Sequence, residues 1–148
     1  MSSSYSFGDS ASLRIAVQSW ISNENNTSEI YGDINSWDVS AITDFSFLFN
    51  GKTTFNSNIS NWDVSNGQYF NHMFYGASSF NQDIGEWDVS NGSGFWMMFY
   101  EATTFNQDIG EWDVSSATDM QYMFYNTHTF NQDISNWDGS SNNYFNSM

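Results

Sequence analysis

The chain has 148 residues, 39 % hydrophobic and 20 % aromatic, enough for one packed core built from 14 Phe, 8 Tyr, 7 Trp and 7 Met. Its 17 acidic residues face 2 basic ones, Arg14 and Lys52, for a net charge of -15. That field repels phosphate backbones and anionic headgroups, which excludes nucleic-acid binding, and no apolar run nears the ~18 residues that membrane insertion needs.

With Pro and Cys both absent, no disulfide forms and cysteine usage says nothing about compartment. The opening MSSSYSFGDS lacks the basic and apolar regions of a signal peptide. In DSASLRIAVQSWIS, Leu13, Ala16, Val17, Trp20 and Ile21 fall at i, i+3, i+4, i+7 and i+8, with Asp9 or Ser10 placed to cap. This spacing predicts an amphipathic helix. Residues 1–30 then read as a capping segment over the first of five repeats that fill residues 31–148.

Those repeats are 25 residues long. Trp37, Trp62, Trp87, Trp112 and Trp137 stand in register, each followed by Asp and, three residues on, by Ser. Ile precedes each Trp by three, and FNQDIGEWDVS occurs twice, at Phe80 to Ser90 and Phe105 to Ser115. A second apolar cluster recurs as Phe45, Phe70, Phe95, Met120 and Phe145, with Leu48, Met73, Met98, Met123 and Met148 three residues later. A unit this short buries its side chains only against its neighbours, so the pattern predicts a repeat solenoid of right-handed coils. FNQDIGEW reads as a short extended segment, with Phe80, Gln82 and Ile84 on one face and Gly85 allowing a bend. Equivalent strands would pair as a parallel sheet. In SSATDMQYMFYNT, Ser116 or Thr118 precedes Met120, Met123 and Phe124, a spacing that suits one or two helical turns. The last unit stops at Met148, short of its next expected Phe, and an uncapped end of this kind is suited to self-assembly or docking on another chain.

The phrases MFYGASSFNQDIGEWDVS and SSATDMQYMFYNTHTFNQDISNWD resemble the DUF285 repeat of bacterial surface proteins, in the BspA-like branch of leucine-rich repeats. The resemblance covers Ser12 to Met148. It implies a leucine-rich-repeat-like solenoid, an extracellular or cell-surface location and non-enzymatic roles in binding or adhesion, with no catalytic residues to carry over. The chain departs from the pattern after the WDVS phrase: Ile42-Thr43-Asp44 fits it, whereas Gly67-Gln68-Tyr69, Gly92-Ser93-Gly94 and Asn142-Asn143-Tyr144 do not.

No nucleophile elbow, phosphate loop, dinucleotide motif or HExxH pattern occurs, so the chain does not read as an enzyme. The Trp ladder reads as core and not as a sugar-stacking stripe. The Asp after each Trp reads as a cap for nearby amides. Asp83, Asp108 and Asp133 share a column in which carboxylates would stand one strand spacing apart, and splaying, protonation or a cation must relieve them. Calcium is the cation such oxygen-rich sites take. Tyr75, Tyr100 and Tyr125 form a further column, open either to a partner or to stacking on one another. Trp96 replaces the polar Ser46, Asn71 and Gln121 at its position and should be exposed. These four aromatics are the expected contacts for a protein or glycan partner.

Overall fold

The structure, a computed structural model, describes residues 4–143. Helix α1 spans Ser10–Ser22, and its N-cap is Asp9, whose side chain accepts from the Ser12 amide. It buries Leu13, Ala16, Val17 and Trp20. The Trp20 ring meets Trp37 edge-on at 5.9 Å, and its indole N–H donates to Ser57 Oγ at 3.0 Å. A second helix, α2 (Glu24–Tyr31), follows directly. The sequence pattern does not announce it, because Glu24 to Tyr31 carries almost no apolar stripe and buries only Thr27. Its start is set by Asn23, whose side chain caps the Asn26 amide, and its end by Gly32 at φ 77°.

Ahead of the helices, Tyr5 and Phe7 run beside Asp38. The Phe7 amide donates to the Asp38 carbonyl and the Asp38 amide to the Tyr5 carbonyl, at 2.9 and 2.8 Å. With Tyr31 these rings close around Trp37 at 5.1 to 5.8 Å. The first unit is thus covered by aromatics from two directions.

Beyond the 3-10 turn Ile34–Ser36, the expectation of a right-handed, leucine-rich-repeat-like solenoid with parallel strands and short helical turns is overturned. Among the described residues no strand and no sheet forms, only isolated parallel bridges such as Asp44 with Tyr69, Tyr69 with Gly94 and Gly94 with Asp119. Nor does a helix form over Met120 to Phe124, where the chain runs through turns.

Two physical causes account for this. In the segments from residues 45, 70 and 95 onward, backbone donors alternate in their targets. The amides of Phe45, Phe47, Phe49 and Gly51 bond carbonyls of the next unit at Tyr69, Asn71, Met73 and Tyr75. Those of Leu48, Asn50 and Lys52 turn back three residues to Phe45, Phe47 and Phe49. Such alternation needs a left-handed residue in each run, and Phe47, His72, Met97 and Tyr122 all have φ between 53° and 62°. A strand or a helix requires one backbone conformation repeated, and these runs never repeat one.

The second cause acts at the Phe-Asn segment. Equivalent rings are related nearly by translation there, and Phe80 lies 6.0 Å from Phe105, as Phe105 does from Phe130. Among the described residues no main-chain hydrogen bond joins these segments directly. Side chains bridge the gap instead. Asn81 Oδ1 accepts from the Asn106 amide at 2.9 Å and from Gln107 Nε2 at 3.0 Å, and Asn56 and Asn106 do the same one unit away. Gly85 stands in a turn that the Trp87 amide closes onto the Ile84 carbonyl, and it also allows close approach, since a Cβ there would lie 2.4 Å from the Asp108 carbonyl oxygen.

The core is a set of ring columns. Phe49, Phe74 and Phe99 stack at 5.4 Å within 6° of parallel, and Phe45, Phe70 and Phe95 at 5.5 and 5.3 Å. Trp37, Trp62, Trp87 and Trp112 are buried, so the Trp ladder is core. Trp62, Trp87 and Trp112 each donate an indole N–H to the carbonyl of the Ile 28 residues upstream, and so tie each unit to the one before. Phe145 and Met148, and with them the end of the last unit expected to be uncapped, lie outside the described residues.

Candidate functional site

The turn runs that break the sheet also build the surface of interest. Because Phe47, His72, Met97 and Tyr122 hold left-handed backbones, their side chains leave the core columns on either side of them. Phe47 is 49 % exposed while its neighbours Leu48 and Phe49 are buried. The Phe47 ring stacks on the His72 ring at 4.6 Å, and the next ring along, Trp96, meets His72 edge-on at 4.5 Å. Tyr75 touches His72 at 5.4 Å and continues the network. It stacks on Tyr100 at 4.7 Å and 2°, Tyr100 stacks on Tyr125 at 5.0 Å, and Tyr125 meets Tyr122 at 5.9 Å. One connected ring surface thus runs from Phe47 to Tyr122.

Within it the four aromatics picked from the sequence fare differently. Trp96 is 38 % exposed and Tyr125 43 %, whereas Tyr75 and Tyr100 are half-buried. Face-to-face stacking covers both faces of the Tyr100 ring and leaves the column's edges and hydroxyls outward. The open ring area belongs to Trp96, Phe47 and Tyr69. Tyr69, 45 % exposed, occupies the bridge column otherwise held by Asp44, Gly94 and Asp119.

Phe47, Tyr69, His72, Met97 and Tyr122 escaped sequence reasoning. Their signal was available as register: the column at 47, 72, 97 and 122 carries a large side chain in every unit without a shared type. Core columns in this chain keep their type, so such variation marks a position that no neighbour fills. The His72 Nδ1 atom is buried without a hydrogen bond, and burial lowers the pKa of the ring below the ordinary 6.5.

The aspartate column is a different object. Asp83, Asp108 and Asp133 each turn Oδ1 onto an amide two residues on, that of Gly85, Gly110 or Ser135, at 2.9 to 3.0 Å. Asp83 and Asp108 join Glu86 and Glu111 around a recess of about 190 Å³. Among the described residues no group of three or more His, Asp or Glu is arranged to hold a metal ion. The Asp after each Trp is likewise a cap: Asp113 accepts from the amide of Ser115 at 3.0 Å and from its hydroxyl at 2.6 Å, and Asp38, Asp63 and Asp88 repeat the pair. Threonine hydroxyls also join units, with Thr104 Oγ1 donating to the Ser78 carbonyl and Thr129 Oγ1 to that of Thr103.

The family model described as "Mycoplasma protein of unknown function, DUF285" matches residues 15–137 and again 95–148. The chain belongs to this family. No curated protein and no solved structure matches it.

Proposed function

We propose that this chain is a non-enzymatic interaction or adhesion module, exposed outside the cell or on its surface, which engages a partner through the ring surface from Phe47 to Tyr122. The observation that carries the reading is this surface itself. Large apolar side chains stand exposed at Phe47, Tyr69, Trp96 and Tyr125. Exposed, connected aromatic area of this kind marks a binding face, because leaving it in water is costly and only a partner recovers the loss. The likeness of FNQDIGEWDVS to repeats of BspA-like surface proteins supports the exterior location. Rigidity adds to the case, since a face pinned by stacked rings loses little freedom on binding.

Binding of the full chain to an array of immobilised extracellular-matrix proteins and neutral oligosaccharides tests this. The reading expects at least one ligand held by the wild type and released by a Tyr69→Ala, Trp96→Ala double variant whose thermal melt is unchanged. Equal retention of every ligand by both proteins overturns it.

A further inference from the structure

We propose that the partner segment seated on this face is a cationic, arginine-containing stretch of polypeptide. The inference rests on the interaction reading above and names its chemistry.

Charge complementarity is the first ground. The net charge is -15, and neither basic residue is free, since Arg14 lies 3.9 Å from Asp44 and Lys52 donates to Gln18. An anionic partner would have to approach without a single uncommitted Lys or Arg to meet it.

The second ground is Glu101. Every aspartate of the chain accepts a backbone amide from two or three residues on, while no glutamate side chain makes a hydrogen bond or ion pair among the described residues. Glu101 is therefore a carboxylate with nothing internal to do, and it borders the ring column beside Tyr100. It also sits at φ 56°, in the register column that Gly51, Gly76 and Asn126 occupy with φ of 69°, 65° and 57°. A non-glycine residue without a local hydrogen bond is disfavoured in that conformation. A strained, unpaired acid at the edge of an aromatic surface is placed for a ligand's cation.

The third ground is the rings. Stacking hides the faces of Tyr100, so flat sugar stacking on the Tyr column is blocked, whereas Trp96 and Phe47 keep open area for a guanidinium plane. An arginine-containing segment carries the chemistry for both features, a guanidinium plane for an open ring such as Trp96 and a positive charge for the Glu101 carboxylate.

Isothermal titration of the full chain with an oligoarginine peptide at physiological ionic strength tests the inference. Trp96→Ala and Glu101→Gln are each expected to weaken binding about tenfold. Glu29→Gln, which removes the same charge from exposed α2, leaves affinity unchanged. Absence of wild-type binding overturns the proposal, as does a Glu29→Gln loss equal to that of Glu101→Gln, which would reduce the attraction to net charge alone. A neutral array ligand that depends on Trp96 while oligoarginine fails to bind would sink the cationic partner and leave the interaction face standing.

Discussion

An aspartate in this chain is first a capping residue. Its carboxylate replaces backbone partners that a sheet would have supplied, and much of the acidity follows from that structural need. The hydrogen bonds from Ser90 and Ser115 hold the carboxyls of Asp88 and Asp113 below their ordinary pKa, and the Ser135 amide does so for Asp133. Their stabilising share is present above the usual carboxylate pKa and is lost as pH falls through the lowered value. His72 titrates earlier. Burial lowers its pKa, so the neutral ring is favoured in the folded state. That stability is full above about pH 6.5 and declines as pH falls through 6.5 toward the lowered value. His72→Phe, which copies Phe47 of the preceding unit, should flatten the stability profile between about pH 7.5 and 5 in urea titrations. A variant slope as steep as the wild type's would remove His72 from that account. Glu101→Gly should raise stability by about 1 kcal/mol, because glycine has no side chain to strain at that positive φ. The same variant should bind oligoarginine more weakly, so a gain in urea midpoint with undiminished binding would separate the strain from the function.

At the scale of elements, adjacent units are joined in two ways. Along the runs from residues 45, 70 and 95 main chains bond directly, whereas at the Phe-Asn segments asparagine side chains bridge them. Asn81→Ala should cost about 1 kcal/mol, since it strips the acceptor from the Asn106 amide and from Gln107. Asn81→Asp keeps that acceptor and should lose clearly less in the same denaturation series. Equal losses would mean that the ladder contributes nothing through its oxygen. These bridges also explain how far the sequence could be read. The period, the buried Trp, Ile and Phe columns and the residues that α1 buries were legible, because burial repeats with register. Strand and helical turns were read from alternation and from i, i+3, i+4 spacing, and both failed for a physical reason. Neither pattern carries the asparagine side-chain bridges that stand in for main-chain pairing, nor the left-handed residues at Phe47, His72, Met97 and Tyr122. None of these four is the glycine that would have signalled such a backbone.

Taken whole, the molecule has an interior of parallel rings and one side where rings are left uncovered. Trp96 was legible as exposed because one large aromatic replaced polar residues at its register position. The rest of the face was hidden by the same logic, since a column holding Phe, His, Met and Tyr shows no shared type to notice. The sequence showed the carboxylates of Asp83, Asp108 and Asp133 as a column but not that each accepts a backbone amide two residues on. Nothing in the core requires the exposed rings, which is why the face and not the aspartate column is where function is placed.

The most direct test is amide chemical-shift mapping of the isotopically labelled full chain titrated with the oligoarginine peptide. The account predicts saturable shifts concentrated on Phe47, Tyr69, His72, Trp96, Tyr100 and Glu101, with α1 and the turns at Asp83 and Asp108 still. Shifts spread evenly over the acidic surface, or centred on Asp83 and Asp108, would contradict it.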